Sequence, residues 1–359
     1  MNKKDFIYSN YNKTVPFIKN GVIKKISYSN IALIKYWGKS KNNIQIPSNS
    51  SISYRLNNVY TVTKIIYKMN DRKNSKFYFK FLFSGKEHTF FYLRMKKFFH
   101  RIFVYCSYLR NFNFIIETNN TFPHSSGIAS SASSISSIAL CIMDIEKKLI
   151  NSLTKSFILK KASFLARLGS GSACRSIYTG LSVWGAHKLI KGSNNFYSIP
   201  YPYTVHPIFR KIEDTILIID DKPKKILSSK GHQLMNNHPY AKERFKHANN
   251  NMVQLISILK SGNIKKFGIL IEQEALNLHA MIMTSNPYYL CFQPNTIEVI
   301  QNIWKYRIKS KKNIYFTLDA GANIHILYPI QEKKTIFKWI KNNLYHFYKN
   351  IIESFCIWN

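Results

Sequence analysis

A short apolar strand that ends in a cluster of cations and aromatic rings is the strongest constraint on how this chain folds. The run from Asn30 to Ile34 is apolar and bounded by polar residues, which is typical of a buried strand. From Lys35 to Lys39 the sequence then reads KYWGK. The pattern predicts a site for a small polyanion at the end of this strand, although either lysine alone is more typical of a surface beside core aromatics.

Strand-like and helical segments alternate along the chain without a repeating order, which predicts an α+β fold and not a doubly wound sheet. Strand character is present near 26–34, 51–67, 77–84 and 112–118, with helices over 128–147 and 155–167. After a proline-rich stretch we predict strands at 215–220, 315–318 and 324–328, helices at 239–260, 263–284 and 294–308, and a last helix that closes the chain.

The length of 359 residues suffices for two domains with their own cores. We place the boundary in the proline-rich stretch, where the pattern changes. The predicted organisation is a polar, irregular extension over 1–25, a first domain over 26–205 and a second domain over 206–359.

The net charge is extreme, at +36 from 53 Lys and Arg against 17 Asp and Glu. One interpretation is a nucleic-acid or membrane-surface partner. The other is a compositional bias, because Lys, Asn, Ile, Tyr and Phe are all abundant and all have A/T-rich codons. The lysines are scattered and form no Arg/Gly/aromatic motif of an RNA binder, which favours bias, with no nucleic-acid partner expected.

The cysteines are far apart and show no CxxC spacing, which argues against zinc and fits a reducing compartment. The first ten residues lack the apolar run of a secretory signal. The most apolar helical segment, 129–145, is interrupted by serines, so we expect a core helix and no membrane association. We therefore predict a cytoplasmic protein.

A serine-rich segment around Gly127 has the composition of a phosphate loop. Gly127 allows a tight turn near a ligand, and the helix that follows begins with small residues, where free N–H groups favour phosphate. Ser130, Ser131 and Ser133 add hydroxyls, with Ser131 a candidate Mg²⁺ ligand. A serine-capped helix without a ligand is an equally good interpretation of this segment alone.

Two further segments carry charged groups suited to chemistry. In ARLGSGSACRS, glycines and serines precede Arg175 at what looks like a helix start, and Arg offers a planar fork for carboxylate or phosphate. Cys174 is expected to be a small buried residue and not a nucleophile. In TLDAGAN, Asp319 stands at a strand end as a candidate catalytic carboxylate, although an Asx turn gives the same pattern.

In their order and spacing, these segments resemble the diphosphomevalonate (mevalonate diphosphate) decarboxylase family of the GHMP kinase superfamily. The resemblance is carried by NIALIKYWGK with IPSNSSISY, FPHSSGIASSAS, ARLGSGSACRS and TLDAGAN, and it extends from about Ser29 to Tyr328. It implies a βαβ-type nucleotide domain, a ferredoxin-like C-terminal sandwich, a cleft site between them and a homodimer. The implied reaction converts ATP and (R)-5-diphosphomevalonate to isopentenyl diphosphate, CO₂, ADP and phosphate.

The resemblance also implies roles for residues. Asp319 would act as base toward the 3-hydroxyl, Lys35 would sit beside it, and Arg175 would grip the substrate carboxylate. Substrate contacts would come from Asn30, Tyr36, Lys39, Ser170, Ser172 and Ser228. ATP and Mg²⁺ would be held by Gly127, Ser130, Ser131 and Ser133, with the metal on Ser131.

The sequence departs from the family pattern at a few positions. Ala322 replaces the usual proline of the acidic motif, and the serine motif from Leu227 to His232 is shortened, so Ser228 and Ser229 both remain candidates. His279 and His325 lie near motifs and are expected to be core or surface residues.

Other functions remain open at this stage. The alternatives are a related 3-kinase, a decarboxylase of the monophosphate, a basic nucleic-acid-binding protein on the same fold, and an inactive relative.

Overall fold

The computed structural model describes residues 3–7, 18–40, 45–70, 77–122, 130–222 and 226–356. The first half of the chain builds a mixed sheet in the order β4-β3-β5-β2-β6-β7, with β1 paired to β2. Its strands are β1 (Asn20–Ile34), β2 (Ser51–Met69), β3 (Phe79–Phe83), β4 (Lys86–Glu87), β5 (Phe112–Asn120), β6 (Leu181–Trp184) and β7 (Ile199–Pro200).

The pairing of β1 with β2 determines where the polyanion motif lies. The two long strands run antiparallel, with Ile23 opposite Ile65 and Ile31 opposite Tyr54. The register shifts twice, between Tyr28 and Asn30 and again just before Ile34. Such irregularities bend a strand and re-aim its side chains. Strand β1 therefore ends at Ile34, and Lys35 lies just beyond its paired residues.

Helices α1 (Thr89–Ile102), α2 (Ser130–Leu149) and α3 (Lys155–Gly169) complete the first half. Helix α2 packs on β1 and β2 through serines, and its hydroxyls bond to the sheet: Ser136 to Ser27 at 2.6 Å and Ser133 to Thr61 at 2.7 Å. Short side chains that are hydrogen-bonded can be buried at little cost, so the helix lies close to the sheet.

The second half forms an antiparallel sheet in the order β11-β8-β10-β9. Counted within this half, the strand order is 4-1-3-2, which is the ferredoxin-like arrangement. Its strands are β8 (Ile212–Ile218), β9 (Tyr315–Thr317), β10 (Ile324–Pro329) and β11 (Asn350–Phe355). Its helices are α4 (Ser228–Leu234), α5 (Ala241–Ser261), α6 (Ile264–Met283), α7 (Pro294–Ser310) and α8 (Lys333–Asn343). The two-part α+β architecture predicted from the sequence is confirmed.

The two halves share part of one hydrophobic core. Ile31 and Ile52 of the first sheet belong to the same buried cluster as Phe209, Ile216 and Leu255. Helices α5 and α6 also pack against the end of β1. The strands before residue 200 belong to one sheet and those after 212 to the other, but the boundary near 205 stays a prediction.

Some predictions about local structure were wrong. Residues 20–25 were assigned to an irregular extension, but they form the start of β1. The last helix does not close the chain, because β11 follows it. Helix α1 was missed, since its sequence TFFYLRMKKFFHRI carries the aromatic residues that favour strands. Arg175 lies in a 3₁₀ segment, Gly171–Ile177, and not at a helix start.

Within the described ranges, no helix combines the length and the apolar character needed to cross a membrane.

A buried ion pair joins α2 to α3. Lys161 Nζ lies 2.7 Å from Glu146 Oε1, and the two side chains are 0% and 1% exposed. We expect Lys161→Met to lower the free energy of unfolding by about 3–5 kcal/mol, because Glu146 would keep a buried charge without a cation. Urea denaturation measures this. Lys246→Met, which removes the exposed partner of Glu243, should change little, and equal effects of the two substitutions would contradict the argument.

Candidate active site

Two of the sequence motifs meet in an ion pair between the two halves of the chain. Lys35 Nζ lies 3.0 Å from Asp319 Oδ1. The Lys35 side chain is 1% exposed, whereas Asp319 remains 28% exposed. Burial lowers the pKa of the Lys35 ammonium, and Asp319 opposes this shift. The carboxylate is therefore accessible to a ligand while its cation is enclosed.

Side chains hold both backbone groups of Lys35. Its N–H donates to Glu274 Oε2 at 2.9 Å, and its carbonyl accepts from Asn49 Nδ2 at 3.0 Å. The strand ladder ends at Ile34, so these groups have no strand partner and side chains satisfy them instead.

Three contacts fix the loop that carries Asp319. His279 Nε2 lies 3.2 Å from the carbonyl oxygen of Asp319, and Thr296 Oγ1 donates to the carbonyl of Ala322 at 2.9 Å. Asn323 Oδ1 accepts from the backbone N–H groups at the end of β8, at 2.7 and 2.9 Å. These bonds hold the loop without the proline that Ala322 replaces. His279 thus supports the motif, whereas His325 pairs with Asp214 in the core.

Arg175 lies in the same region and is almost fully buried. Its guanidinium donates to the hydroxyls of Ser51, at 2.7 Å, and Ser53, both on β2. Desolvation lowers the pKa of Arg175, and the negative charge of Asp319 opposes this shift. The positive charge of Arg175 in turn helps to lower the pKa of Lys35. Lys35 and Asp319 are thus in contact, and Arg175 lies close enough for its charge to act on both, which the motifs alone could not establish.

Asn30 holds residues 170–176 of the ARLGSGSACRS motif, which is called the substrate loop below because the sequence predicts substrate contacts there. Its side-chain amide donates to Ser176 Oγ at 2.7 Å and to the Ser172 carbonyl at 3.3 Å. Asn30 is buried and its amide donors are used by the loop, so its predicted contact with the substrate stays a prediction. Ser170 and Ser172 remain partly exposed.

The start of α2 lies beside this loop. Ser131 Oγ is 3.2 Å from Ser170 Oγ, so the predicted nucleotide and substrate segments touch. Ser130 and Ser131 are partly exposed. Ser133 is fully buried and its hydroxyl bonds to Thr61 of the sheet, and its predicted contact with the nucleotide stays a prediction. Gly127 lies outside the described residues.

Aromatic rings form one wall of the site. The His232 ring lies 4.2 Å from the Tyr36 ring and 4.6 Å from the Trp37 ring, measured between centroids. His232 Nδ1 accepts from the N–H of Gly38 at 2.9 Å, and burial lowers its pKa well below the usual range. The ring is therefore neutral, with its proton on Nε2. Sequence reasoning missed His232.

A cluster of cations lies near Lys39, which is itself partly exposed. Burial and the charges of Arg94 and Arg101 lower the pKa of Lys39 to about 8. Arg101 Nη1 also donates to the carbonyl of Leu168, next to the substrate loop, at 2.8 Å. Both arginines come from α1, at a spacing that places them on one helix face. They were missed because the helix itself was missed.

The remaining predicted positions are less informative. Ser228 and Ser229 both lie exposed at the start of α4, so the structure does not choose between them. Cys174 is buried, its pKa is raised to about 12 by desolvation, and it fits the predicted structural role. The described residues contain no cluster of three or more His, Cys, Asp or Glu that could hold a metal ion.

This arrangement suits phosphoryl transfer to a small acid. One accessible carboxylate can take a proton, an enclosed lysine lies beside it, and an arginine is placed for a second carboxylate or phosphate. The cations around Lys39, four residues along the chain from Lys35, add a second positively charged region that suits an anion.

Comparison with known proteins agrees with this geometry. The family model described as "Diphosphomevalonate decarboxylase-like N-terminal domain" matches residues 27–195, and "Mevalonate 5-diphosphate decarboxylase C-terminal domain" matches residues 215–356. The diphosphomevalonate decarboxylase of Debaryomyces hansenii is 26% identical over 325 residues, covering 86% of this chain and 79% of that protein.

Solved structures match over nearly the whole chain. Mevalonate diphosphate decarboxylase from Staphylococcus aureus has a TM-score of 0.78 and 28% identity, covering 95% of this chain and 96% of that one. MDDEF, solved in complex with MVAPP, AMPPCP and magnesium, has the same TM-score at 24% identity, covering 93% and 96%. With both family models matched in chain order and their motifs meeting at Lys35 and Asp319, the chain belongs to the diphosphomevalonate decarboxylase family of the GHMP kinase superfamily.

Proposed function

We propose that this chain converts (R)-5-diphosphomevalonate and ATP to isopentenyl diphosphate, CO₂, ADP and phosphate. The observation that carries the proposal is the 3.0 Å contact of Lys35 Nζ with Asp319 Oδ1, with Arg175 beside both. The diphosphomevalonate decarboxylases among its relatives support the reaction.

The first step phosphorylates the 3-hydroxyl. Asp319 accepts its proton while the oxygen bonds to the γ-phosphorus of ATP, and the bond from that phosphorus to the bridging oxygen breaks to release ADP. Phosphoryl transfer has a loose transition state, so positioning and charge supply most of the catalysis. Lys35 contributes a cation beside the reacting oxygens, in an environment where burial strengthens its field.

The second step is an elimination. The C3–O bond breaks and phosphate leaves with the electron pair, after which the C1–C2 bonding pair forms the C2=C3 double bond and C1 departs as CO₂. Arg175 holds the carboxylate, and its own position is fixed by Ser51 and Ser53. A rigid arginine keeps the breaking bonds aligned.

The diphosphate end of the substrate faces the cations around Lys39. Lys39, Arg94 and Arg101 supply charge. The hydroxyl of Tyr36, which donates to Gln45 Oε1 at 3.3 Å, is proposed to contact the diphosphate as well. Ser170, Ser172 and Ser228 complete the contacts proposed for this end.

The start of α2 receives the phosphates of ATP. Ser130 and Ser131 lie at the end of the helix where N–H groups are free, which suits anions. Mg²⁺ would neutralise the triphosphate. The hydroxyl of Ser131 would contribute to holding Mg²⁺ together with the phosphates of ATP. MDDEF was solved with AMPPCP and magnesium, which supports ATP and Mg²⁺ as the cofactors here.

A homodimer in the cytoplasm, with no nucleic-acid or membrane partner, is part of the proposal. It rests on the family relationship.

Substrate choice gives the most direct test. Mevalonate, its 5-phosphate and its 5-diphosphate should each be offered with ATP and Mg²⁺, and CO₂, ADP and the organic products measured. We expect CO₂ from the 5-diphosphate only. A 3-phosphorylated product without CO₂ would indicate a 3-kinase, and turnover of the 5-phosphate a monophosphate decarboxylase.

Replacing the proposed base should nearly abolish turnover. We expect Asp319→Asn to reduce kcat by roughly 10²–10⁴-fold, because an amide cannot accept the hydroxyl proton. Steady-state ADP release measures the effect. Asp221→Asn, at an exposed carboxylate paired with Lys349, is the control and should keep wild-type turnover. An Asp319→Asn enzyme with near-normal kcat would overturn the mechanism.

The KM for the diphosphate substrate should rise at alkaline pH. Lys39 has a pKa lowered to about 8, so it is charged below that pH and neutral above it. Loss of this cation weakens anion binding, and KM should increase as pH passes about 8. Arg101→Gln removes a like charge, so the increase should move to higher pH. A KM that stays constant through this range would contradict the assignment.

A further inference from the structure

A second carboxylate reaches Lys35 from the C-terminal half of the chain. Glu274 lies on α6 and is fully buried. Its Oε2 accepts from the N–H of Lys35 at 2.9 Å and from Arg244 Nη2 at 2.8 Å. Its Oε1 accepts from Arg244 Nη1 at 3.1 Å and from Asn251 Nδ2 at 2.7 Å. A single carboxylate thus joins two helices of one half to the strand end of the other.

These contacts restrict the backbone from which the Lys35 side chain extends. Glu274 holds the N–H of Lys35 and Asn49 holds its carbonyl, at a point where the strand no longer does so. Charge-assisted hydrogen bonds of this kind are shorter and stronger than neutral ones. Movement of α6 would therefore move Lys35 relative to Asp319.

The charge of Glu274 also acts on the ammonium. Desolvation and Arg175 disfavour the charged form of Lys35, whereas Asp319 and then Glu274 favour it. Glu274 itself faces Arg244 and, at 3.9 Å, the Nδ1 atom of His247, which is on the partly exposed side of α5. Among the described residues, the charged and titratable groups that act on Lys35 or Glu274 are thus Asp319, Arg175, Arg244 and His247.

We propose that Glu274 is a positioning residue of the reaction, holding the backbone of Lys35 and keeping its ammonium charged beside Asp319. The inference rests on the proposed function, because it assigns a role relative to the catalytic lysine. It adds a carboxylate that does not touch the substrate but determines where, and in which form, the lysine meets it.

The chain offers a matched control on the same helix. Glu272 is also buried, and it pairs with Arg307 at 2.7 and 3.1 Å and with the indole N–H of Trp304 at 3.1 Å. No contact of Glu272 reaches Lys35 or Asp319 among those in the described residues. Glu272→Gln and Glu274→Gln therefore break equivalent carboxylate–arginine pairs at two positions, only one of which is linked to the site.

The test compares the pH dependence of kcat in the wild type and the two variants between about pH 6 and about pH 10. Turnover requires charged Lys35, so it falls as pH rises through the pKa of that group. Loss of Glu274 removes a stabilising charge, so Glu274→Gln should shift this alkaline limb to lower pH. At neutral pH its kcat should fall by up to about 10²-fold through misplacement of Lys35. Glu272→Gln should keep the wild-type profile.

A double variant guards against misfolding, which the unpaired Arg244 could cause. Glu274→Gln with Arg244→Gln removes both charges, and Glu272→Gln with Arg307→Gln is its control, with thermal unfolding measured for each. A folded Glu274 variant whose pH profile matches that of its Glu272 counterpart would overturn this inference alone. A wild-type protein that releases no CO₂ from diphosphomevalonate would instead overturn the proposed function on which it rests.

Discussion

The site depends on a lysine that is removed from water and held by carboxylates from the other half of the chain. Lys35 is enclosed at the end of β1, and neither its ammonium nor its backbone N–H is satisfied by its own sheet. Asp319 accepts a hydrogen bond from the ammonium of Lys35, and Glu274 accepts one from its backbone N–H. A buried charge without such partners would cost several kcal/mol, so the two halves must pack in one way for the lysine to be tolerated.

The same requirement explains why the site is assembled from so many short polar contacts. Arg175 is held by serines of β2, Asp319 by His279, and the substrate loop by Asn30. Each contact satisfies a buried donor or acceptor that would otherwise be left without water. These contacts fix the groups proposed for catalysis in place, and such preorganisation is a main source of electrostatic stabilisation in enzymes.

Sequence reasoning identified the residues proposed for catalysis but not the side chains that hold them in place. Lys35, Arg175 and Asp319 belong to short sequence motifs that can be recognised without a structure. The α+β fold class followed from the order of predicted strands and helices. The sequence did not predict Arg94, Arg101 or His232 as site residues, because each reaches the site through contacts between segments that are distant in the chain. Glu274 lies in an ordinary amphipathic helix, where a glutamate more often faces solvent.

Ser133 was grouped with its neighbours by proximity along the chain, and its side chain differs from theirs in burial. Helical spacing separates it from Ser131 and aligns it with Ser136 and Ser137, which also face the sheet. The extreme basic charge was informative only in part. Most lysines are scattered, whereas the cations near Lys39 are partly enclosed and lie next to the substrate loop.

The hydroxyl pairs between α2 and the sheet have a consequence for how this sequence can change. Ser136 with Ser27, Ser133 with Thr61 and Ser137 with Thr63 each match a donor to an acceptor in a dry interface. Aliphatic core residues can replace one another when volume is kept, but a member of such a pair cannot be exchanged alone. Substitutions among isoleucine, leucine and other apolar residues can thus change the rest of the core, while these hydroxyl pairs must change together or stay as they are.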